Sequence, residues 1–313
     1  MPIGNKVLLA IVFTAVLLCS IGLSWHADLF LLLLMLDRQA IRAVPTTALA
    51  EPTVARHPYA RPVIEALPWE KEAAVQRLLA EHGATIRMGA FATTLPDPLP
   101  GEEHNVAHVA DLLAGTVVQP GQVFSMNETL GPYTSERGFR EGIVYIGGQV
   151  GRGVGGGVCK MATTLYNVAI LADLPVIARR NHSMLVPYAN PGQDATVSSS
   201  GVDLKFKNDT DHPIVIWAAK EDATLYVAFY GQRKPPVVTW HHEVLQVQER
   251  PLVRRMNTEL APGEERVLIP GAEGIAVKSW VVVRYADGKS ITRNLGVDWY
   301  RPMPRVVEYG PPH

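Results

Sequence analysis

The N-terminal apolar positions form two blocks. An uncharged run covers Val7 to Trp25 and a second apolar burst covers Leu29 to Leu36. The first run approaches the roughly 20 residues that cross a bilayer and exceeds the usual signal-peptide core of about 7–15 residues. We therefore expect an uncleaved membrane helix. A cleaved signal ending at Ala48-Leu49-Ala50, or a buried helix of a soluble protein, stays open as an alternative.

The middle of the chain mixes helical and strand periodicity. Five prolines between Ala43 and Pro68 predict an extended stalk. Apolar residues at helical spacing predict three helices, at Glu70–His82, Asn105–Leu113 and Val158–Ala172. Short apolar runs predict strands at Ala84–Thr94, Val123–Phe124 and Gly142–Gly148. Alternating apolar residues predict an antiparallel meander over Val202–Phe206, Ile214–Ile216 and Leu225–Phe229.

The last part of the chain reads as all-β. Arg233 to Pro236 marks a boundary, and Asp287-Gly288 is a hairpin signal. Strands are predicted at Glu243–Val247, Glu265–Ile269 and Val277–Tyr285. The predicted class is α+β: a mixed helix and antiparallel-sheet domain followed by a small all-β module, preceded by an N-terminal transmembrane helix. The expected division is 1–42 anchor or signal, 43–68 stalk, 69–232 first domain and 237–313 β module.

Net charge and cysteine content limit the classes of function that this chain can have. The net charge of −1 excludes the basic face of a nucleic-acid binder. The two cysteines, Cys19 and Cys159, form no disulfide framework. With Cys19 in a membrane helix and the remainder exported, Cys159 is an unpaired extracytoplasmic thiol, which flags reactivity.

A glycine-rich turn precedes this cysteine. Gly151, Gly153 and Gly156 fit the spacing of a dinucleotide fingerprint, but no second βαβ unit follows. Three consecutive glycines before Val158 instead predict a sharp turn that places Cys159 in the first turn of a helix. Free N–H groups there, and the charge of Lys160, favour a thiolate and offer donors to an oxyanion. A buried structural cysteine remains the alternative.

A base and an acid follow the helix. His182 comes after the apolar run Leu174–Ala178, and Asp194 follows in a Gly-Gln-Asp turn. A Cys159, His182 and Asp194 order suits nucleophilic catalysis, with Asp203 as a second candidate for the acid. Ordinary surface, core or turn roles stay open for His182 and Asp194.

The sequence signals for a metal site and for sugar stacking are weaker. His104 and His108, near Glu102 and Glu103, have helical spacing but lack a third metal ligand, and we expect no metal or cofactor. His241-His242 is expected at the surface. For four aromatic residues, packing or hairpin pairing is favoured over stacking on sugars. These are Trp240, Trp280, Trp299 and Tyr300.

The block Gly155-Gly-Gly-Val-Cys-Lys-Met-Ala-Thr-Thr-Leu-Tyr-Asn167 resembles the VanW family. The likeness spans roughly Ala84 to Gln232, through Asn181-His-Ser183, Asp194-Ala-Thr196 and Asp203-Leu-Lys-Phe206. The family usually has Gln where this chain has Lys160, and Ser where it has Ala162. The segment with Gly271-Ala-Glu-Gly274 and Tyr300-Arg-Pro302 resembles a G5 domain, a small β module linked to cell-wall sugars.

The resemblance implies L,D-transpeptidase chemistry on peptidoglycan, with Cys159 as nucleophile and 3–3 cross-links as product. The implied partners are stem peptides, glycan and the membrane, and the sequence does not define an oligomeric state. We expect substrate or oxyanion contacts from a further set near the triad, namely Gly156, Gly157, Lys160, Thr163, Arg180, Asn181 and Ser183. A non-catalytic wall-binding scaffold and a cysteine peptidase or amidase on the same polymer are the alternatives.

Overall fold

The computed structural model of the chain describes residues 42–43, 58–146 and 149–312. The predicted membrane helix at Val7–Trp25 and most of the predicted stalk lie outside these residues. Among the residues described, no helix combines the length and apolarity needed to span a bilayer.

Three of the helices lie close to their predicted positions, and the short helix at Met126–Leu130 was not predicted. The helices are α1 (Ala73–Glu81), α2 (Pro100–Leu113), α3 (Met126–Leu130) and α4 (Val158–Leu171), with a 3-10 turn at Ser135–Arg137. In α4 every residue except Cys159 and Leu171 is buried. This helix is therefore the centre of the core, and the apolar spacing in the sequence predicted it.

Most of the remaining chain forms strands, and nearly all of the strand pairs are antiparallel. Before α4 the strands are β1 (Arg42–Ala43), β2 (Ala60–Pro62), β3 (Ile86–Thr94), β4 (Thr116–Val118), β5 (Val123–Ser125), β6 (Glu141–Ile146) and β7 (Gln149–Val154). Between α4 and residue 232 they are β8 (Val176–Ala178), β9 (Lys205–Lys207), β10 (Ile214–Glu221) and β11 (Thr224–Gly231). The remaining strands are β12 (Val237–Gln248), β13 (Leu252–Met256), β14 (Glu265–Ile269), β15 (Gly274–Arg284), β16 (Ser290–Tyr300) and β17 (Arg305–Tyr309).

A five-stranded antiparallel sheet has the order β2-β3-β11-β10-β4, and its edge strand β2 lies within the segment 43–68 that was predicted as a stalk. Helix α4 packs against β3 and β11, and α2 packs against β10. Because side chains alternate along a strand, Phe91 joins the core beneath α4, whereas Ala90 and Ala92 join the cluster around Trp69 on the other face. The sheet is therefore covered on both faces.

The predicted meander is wrong for its first strand. Strand β9 pairs with β5 and β8 in a separate small sheet, while β10 lies between β11 and β4. The side chain of Asn208 explains the change of sheet, because its Nδ2 donates to the carbonyls of Val118 and His212, both at 2.9 Å. These bonds fix a turn between β9 and β10.

The predicted all-β character of the last segment is confirmed. Strand β15 pairs antiparallel with β12 and with β16, and the turn at Asp287-Gly288 joins β15 to β16. A smaller sheet has the order β13-β17-β14, with β13 and β17 parallel. Trp240, Val281 and Val283 belong to the same buried cluster as the residues of α4. The core is therefore continuous across residues 233–236.

For the described residues the α+β class is confirmed as a mixed, strand-rich fold with mostly antiparallel sheets. The domain limits stay predictions.

Candidate functional site

The glycine turn brings the start of α4 close to its neighbours. Gly157 is the N-cap and has a φ of +97°, which L side chains rarely adopt. A Cβ at Gly157 would lie 2.7 Å from Cγ of Glu102, and one at Gly156 would lie 2.2 Å from the carbonyl carbon of Gly142. Glycine is therefore required at both positions, and it places Cys159 in the first turn of the helix.

The Cys159 thiol is partly buried and lies among polar groups. Its Sγ is 3.3 Å from Oγ1 of Thr196 and 3.6 Å from the carbonyl oxygen of Val197. Burial opposes ionisation, but the hydrogen bond from His182 and the charge of its ring, together with Thr196, lower the pKa of the Cys159 thiol below its ordinary value. The positive charge that favours the Cys159 thiolate is therefore that of the His182 ring.

His182 is buried and directly bonded to Asp194. Its ring Nδ1 and its backbone N–H both lie 2.7 Å from Oδ2 of Asp194, and the hydroxyl of Tyr188 is 3.2 Å from Nε2. An ionised carboxylate only accepts hydrogen bonds, so Nδ1 donates. Burial opposes the charge, but the bonds to Asp194 and to Cys159 outweigh it and raise the pKa of His182 to about 9.

Asp194 is held from a second side. Its Oδ1 accepts from the hydroxyl of Tyr300 at 2.5 Å and from Nη2 of Arg179 at 3.2 Å. Burial favours the neutral acid, but the bond to and charge of His182 and the charge of Arg179 lower the pKa of Asp194. The carboxylate therefore stays ionised at neutral pH.

The structure brings Cys159, His182 and Asp194 together in one cluster. A thiolate beside an imidazolium that a buried carboxylate orients is the arrangement that cysteine acyl-transfer enzymes use. The backbone N–H groups of Gly157 and Cys159 donate to no acceptor among the described residues, so they remain available to an oxyanion. The catalytic roles stay predictions.

The side chain of Lys160 lies between α4, α2 and the ring of Tyr188. Its Nζ forms an ion pair with Glu102 on α2, and both side chains are buried. The same ammonium lies 4.6 Å from the centre of the Tyr188 ring. The side chain therefore joins α4 to α2, and its expected part in thiolate or substrate stabilisation stays a prediction.

The other predicted contact residues connect the loops of the site. Thr163 Oγ1 donates to the carbonyl of Ala195 at 3.1 Å and accepts from its N–H at 3.0 Å. Arg180 is exposed, and its carbonyl accepts from the N–H of Thr196 at 2.8 Å. Asn181 and Ser183 contact the strand β16 region, as described below. The side chains of Thr163 and Asn181 and the backbone carbonyls of Arg180 and Ser183 thus connect the segments on either side of His182 and Asp194.

The second candidate acid lies elsewhere. Asp203 accepts from Oγ of Ser125 at 2.6 Å and from the N–H of Asn127 at 3.0 Å, at the start of α3. It thereby supports this short helix, and the carboxylate on His182 is that of Asp194.

The histidine pair on α2 is engaged with backbone. The rings of His104 and His108 bond through Nε2 to the carbonyls of Gly138 and Arg137, at 2.9 and 2.8 Å. Across the described ranges, no cluster of three His, Cys, Asp or Glu side chains could hold a metal ion.

The aromatic residues after residue 236 divide between core and surface. Trp240 is buried against Tyr166, with ring centres 5.9 Å apart, and Trp299 is 60% exposed. Trp280 stacks on the ring of His241 at 5.4 Å. Tyr300 is buried against Asp194, a contact with no local signal in the sequence.

His242 is partly buried, so its expected surface position is wrong. Its ring nitrogens lie 3.0 Å from Oγ of Ser279 and 3.2 Å from Nε2 of Gln193, beside the loop of Asp194. The ring also stacks on Trp240, which shares its face of β12. The alternation of β12 therefore turns His242 toward the site loop.

A cavity of about 240 Å³ lies beside α3. It is lined by Asn127, Gly131, Pro132, Tyr133 and Ser199. Burial, followed by the charge of an ionised Cys159, raises the pKa of Tyr133, so this wall of the cavity is electrostatically coupled to the thiol.

Comparisons with known proteins define the class of the central region. Residues 101–230 match the family described as VanW like protein. The predicted resemblance to the VanW family is confirmed for those residues.

Two known proteins are similar to this chain over about half of its length. The chain is 33% identical over 153 residues to YoaR of Bacillus subtilis (strain 168), covering 49% of this chain and 50% of that protein. It is 26% identical over 174 residues to the vancomycin B-type resistance protein VanW of Enterococcus faecalis (strain ATCC 700802 / V583), covering 51% of this chain and 63% of that protein. The chain thus spans half to under two thirds of these relatives.

Two solved G5 domains also match. The IgA1 protease G5 domain is 21% identical with a TM-score of 0.17, covering 26% of this chain and 98% of that one. The HP0197 G5 domain is 23% identical with a TM-score of 0.15, covering 24% and 93%. Scores of this size carry no structural or functional conclusion.

Proposed function

We propose that this chain is a cysteine-dependent acyltransferase of the cell wall, an L,D-transpeptidase that forms 3–3 peptidoglycan cross-links. The observation that carries the proposal is the buried His182–Asp194 pair, with Nδ1 and Oδ2 at 2.7 Å, coupled to a thiol at the start of α4. The VanW resemblance directs this chemistry to stem peptides. The name of the Enterococcus relative, a vancomycin resistance protein, agrees with a cell-wall substrate.

In the first half-reaction the Cys159 thiolate attacks the carbonyl carbon of the third stem residue. A C–S bond forms, and the resulting oxyanion is received by the N–H groups of Gly157 and Cys159. Protonated His182 gives its proton to the amine of the terminal D-alanine as the C–N bond breaks. The products are a thioester on Cys159, free D-alanine and neutral His182.

In the second half-reaction an amine from a neighbouring stem attacks the thioester. Neutral His182 takes one proton from this amine as the new C–N bond forms, and the C–S bond breaks to release the thiolate. Asp194 keeps Nδ1 protonated throughout, so Nε2 is the nitrogen that exchanges protons. The ion pair is restored and no external oxidant or cofactor is consumed.

The proposed location is extracytoplasmic. An exported chain held by the predicted N-terminal helix would place the site at its polymer, and the β module would add contact with glycan. These statements rest on the apolar run at Val7–Trp25 and on the G5 resemblance of the C-terminal segment.

The test is mass spectrometry of disaccharide-tetrapeptide incubated with the full chain and with its Cys159→Ala variant. The proposal expects 3–3 linked dimers and free D-alanine, both dependent on Cys159. Tripeptide without dimers would identify a peptidase, because water would then resolve the thioester. Bound but unaltered muropeptide with both proteins would identify a scaffold and overturn the proposal.

A further inference from the structure

We propose that β16 is a working part of this site, with Tyr300 and Asp298 as positioning residues that hold Asp194, and through it His182, in place. The inference rests on the proposed function, because it assigns these two residues a part in the same acyl transfer. It makes the C-terminal β module more than a wall-binding appendage.

The alternation of β16 presents two polar side chains to the first domain. Asp298 and Tyr300 are 9% and 4% exposed, whereas Trp299 between them is 60% exposed. A polar side chain is buried at a cost unless it is bonded. The partners of both residues are therefore expected in the first domain, and the structure has them there.

Tyr300 bonds directly to the carboxylate of the candidate triad. Its hydroxyl donates to Oδ1 of Asp194 at 2.5 Å and accepts from the N–H of Gly192 at 2.7 Å. With Oδ1 occupied in this way, Oδ2 is left to both N–H groups of His182. The hydroxyl thus fixes the rotation of the carboxylate that orients the imidazole.

Asp298 contacts Asp194 indirectly, through the side chain of Arg179. Both of its oxygens lie 2.6 Å from Nη1 of Arg179. Arg179 in turn donates from Nε to the carbonyl of Asp194 at 2.7 Å and from Nη2 to its Oδ1 at 3.2 Å. Asp298 therefore both aims this guanidinium and compensates its charge beside the Asp194–His182 pair.

Backbone contacts bracket the same segment. Asn181 Nδ2 donates to the carbonyl of Trp299 at 3.0 Å, and the N–H of Arg301 donates to the carbonyl of Ser183 at 2.7 Å. His182 lies between these two anchors. A displacement of β16 would therefore be transmitted to His182 from both sides as well as through Asp194.

The first test measures the charge at His182 without any need for activity. NMR titration of His182 is carried out on the full chain carrying Cys159→Ala, in which the groups facing the ring are Asp194 and the Tyr188 hydroxyl. Adding Asp298→Asn removes one of the two carboxylates paired with Arg179 and leaves Asp194 shared between Arg179 and His182, so we expect the pKa of His182 to fall by about 0.5. Glu308→Gln is the control, since it removes one charge from β17, where Glu308 pairs with Arg266.

The second test removes the hydroxyl alone. Tyr300→Phe in the same background should weaken or broaden the NMR signal of the His182 Nδ1 proton, because the Asp194 carboxylate is then free to rotate. In the chain with Cys159 intact, it should slow acylation roughly tenfold or more, as a misplaced catalytic group does. Tyr309→Phe, in the same module but outside the site, should change neither signal.

The outcomes separate the two proposals. If the parent forms no acyl-enzyme but Asp298→Asn or Tyr300→Phe alters His182 as stated, the proposed function fails and the coupling stands. If Asp298→Asn does not fold, Tyr300→Phe decides alone. Folded variants whose His182 signals and acylation rates equal those of Glu308→Gln and Tyr309→Phe would overturn the inference.

Discussion

The ion pair between Lys160 and Glu102 allows the sharpest energetic test. Lys160 stands where the family usually has Gln, one position after the candidate nucleophile. Its side chain and that of Glu102 are each 5% exposed. Lys160→Met keeps most of the volume and removes the charge, which leaves the Glu102 carboxylate buried without its cation.

The expected cost follows from this burial. Removing one partner of a buried ion pair destabilises a protein by about 3–5 kcal/mol, whereas replacing both partners by apolar residues is often neutral. We therefore expect Lys160→Met to lose about 4 kcal/mol of unfolding free energy at pH 7, and Lys160→Met with Glu102→Leu to recover most of it. The exposed pair Arg254–Glu265, with side chains 49% and 52% exposed, provides the control. Arg254→Met should cost less than about 1 kcal/mol.

The assay is urea unfolding followed by tryptophan fluorescence, with the rate of Cys159 alkylation by iodoacetamide measured on the folded variants. We expect Lys160→Met to alkylate at nearly the parental rate, because the cation beside the thiol is His182. The reasoning would be refuted by a Lys160→Met cost no larger than that of Arg254→Met. A large loss of alkylation in folded Lys160→Met would restore Lys160 as the thiolate stabiliser.

Three further predictions concern the triad. The pH profile of acylation should be bell-shaped, rising below the ordinary thiol pKa and falling near 9 as His182 loses its proton; a single rise through the ordinary thiol range would exclude the ion pair. His182→Ala should lower the rate of acylation on the order of 100-fold or more, with a melting temperature that shows a folded protein; normal acylation would remove His182 from the mechanism. Asp194→Ala should lose about 3–5 kcal/mol of unfolding free energy at pH 7, because it leaves buried His182 without its carboxylate and removes one of the two carboxylates paired with Arg179. Since the pKa of Asp194 is lowered in the fold, its stabilisation is present above the ordinary Asp pKa and is lost as the pH falls through the folded value, so the deficit in urea unfolding should shrink in acid.

Local patterns carried much of the fold. Helical spacing located α4, and the predicted strand at Val277–Tyr285 with the Asp287-Gly288 turn located β15 and its hairpin, whereas the strand β16 itself was not predicted. These features depend on residues a few positions apart. The placement of β9 could not be predicted in this way, because it depends on Asn208 bonding to Val118, which is 90 positions away.

In the candidate site, too, residues close together in the sequence were predicted and contacts between distant residues were not. Cys159 lies in the specific glycine-rich block, and His182 and Asp194 follow it closely in the chain. Their order along the sequence was therefore enough to suggest a catalytic triad. Tyr300 and Asp298 lie 106 and 119 positions from their partners, and a buried tyrosine on a strand reads as core. Lys160 next to a cysteine suggests a charge for the thiol, but helix geometry turns its side chain toward α2 instead.

The central claim is that Cys159 carries an acyl group during turnover. Intact-protein mass spectrometry after brief exposure to disaccharide-tetrapeptide at pH 7 measures this directly. The account predicts a substrate adduct that lacks the terminal D-alanine, located by peptide mapping to Cys159 and absent from Cys159→Ala. D-Alanine release that persists in Cys159→Ala, or a folded parent whose mass never changes in the presence of substrate, would contradict it.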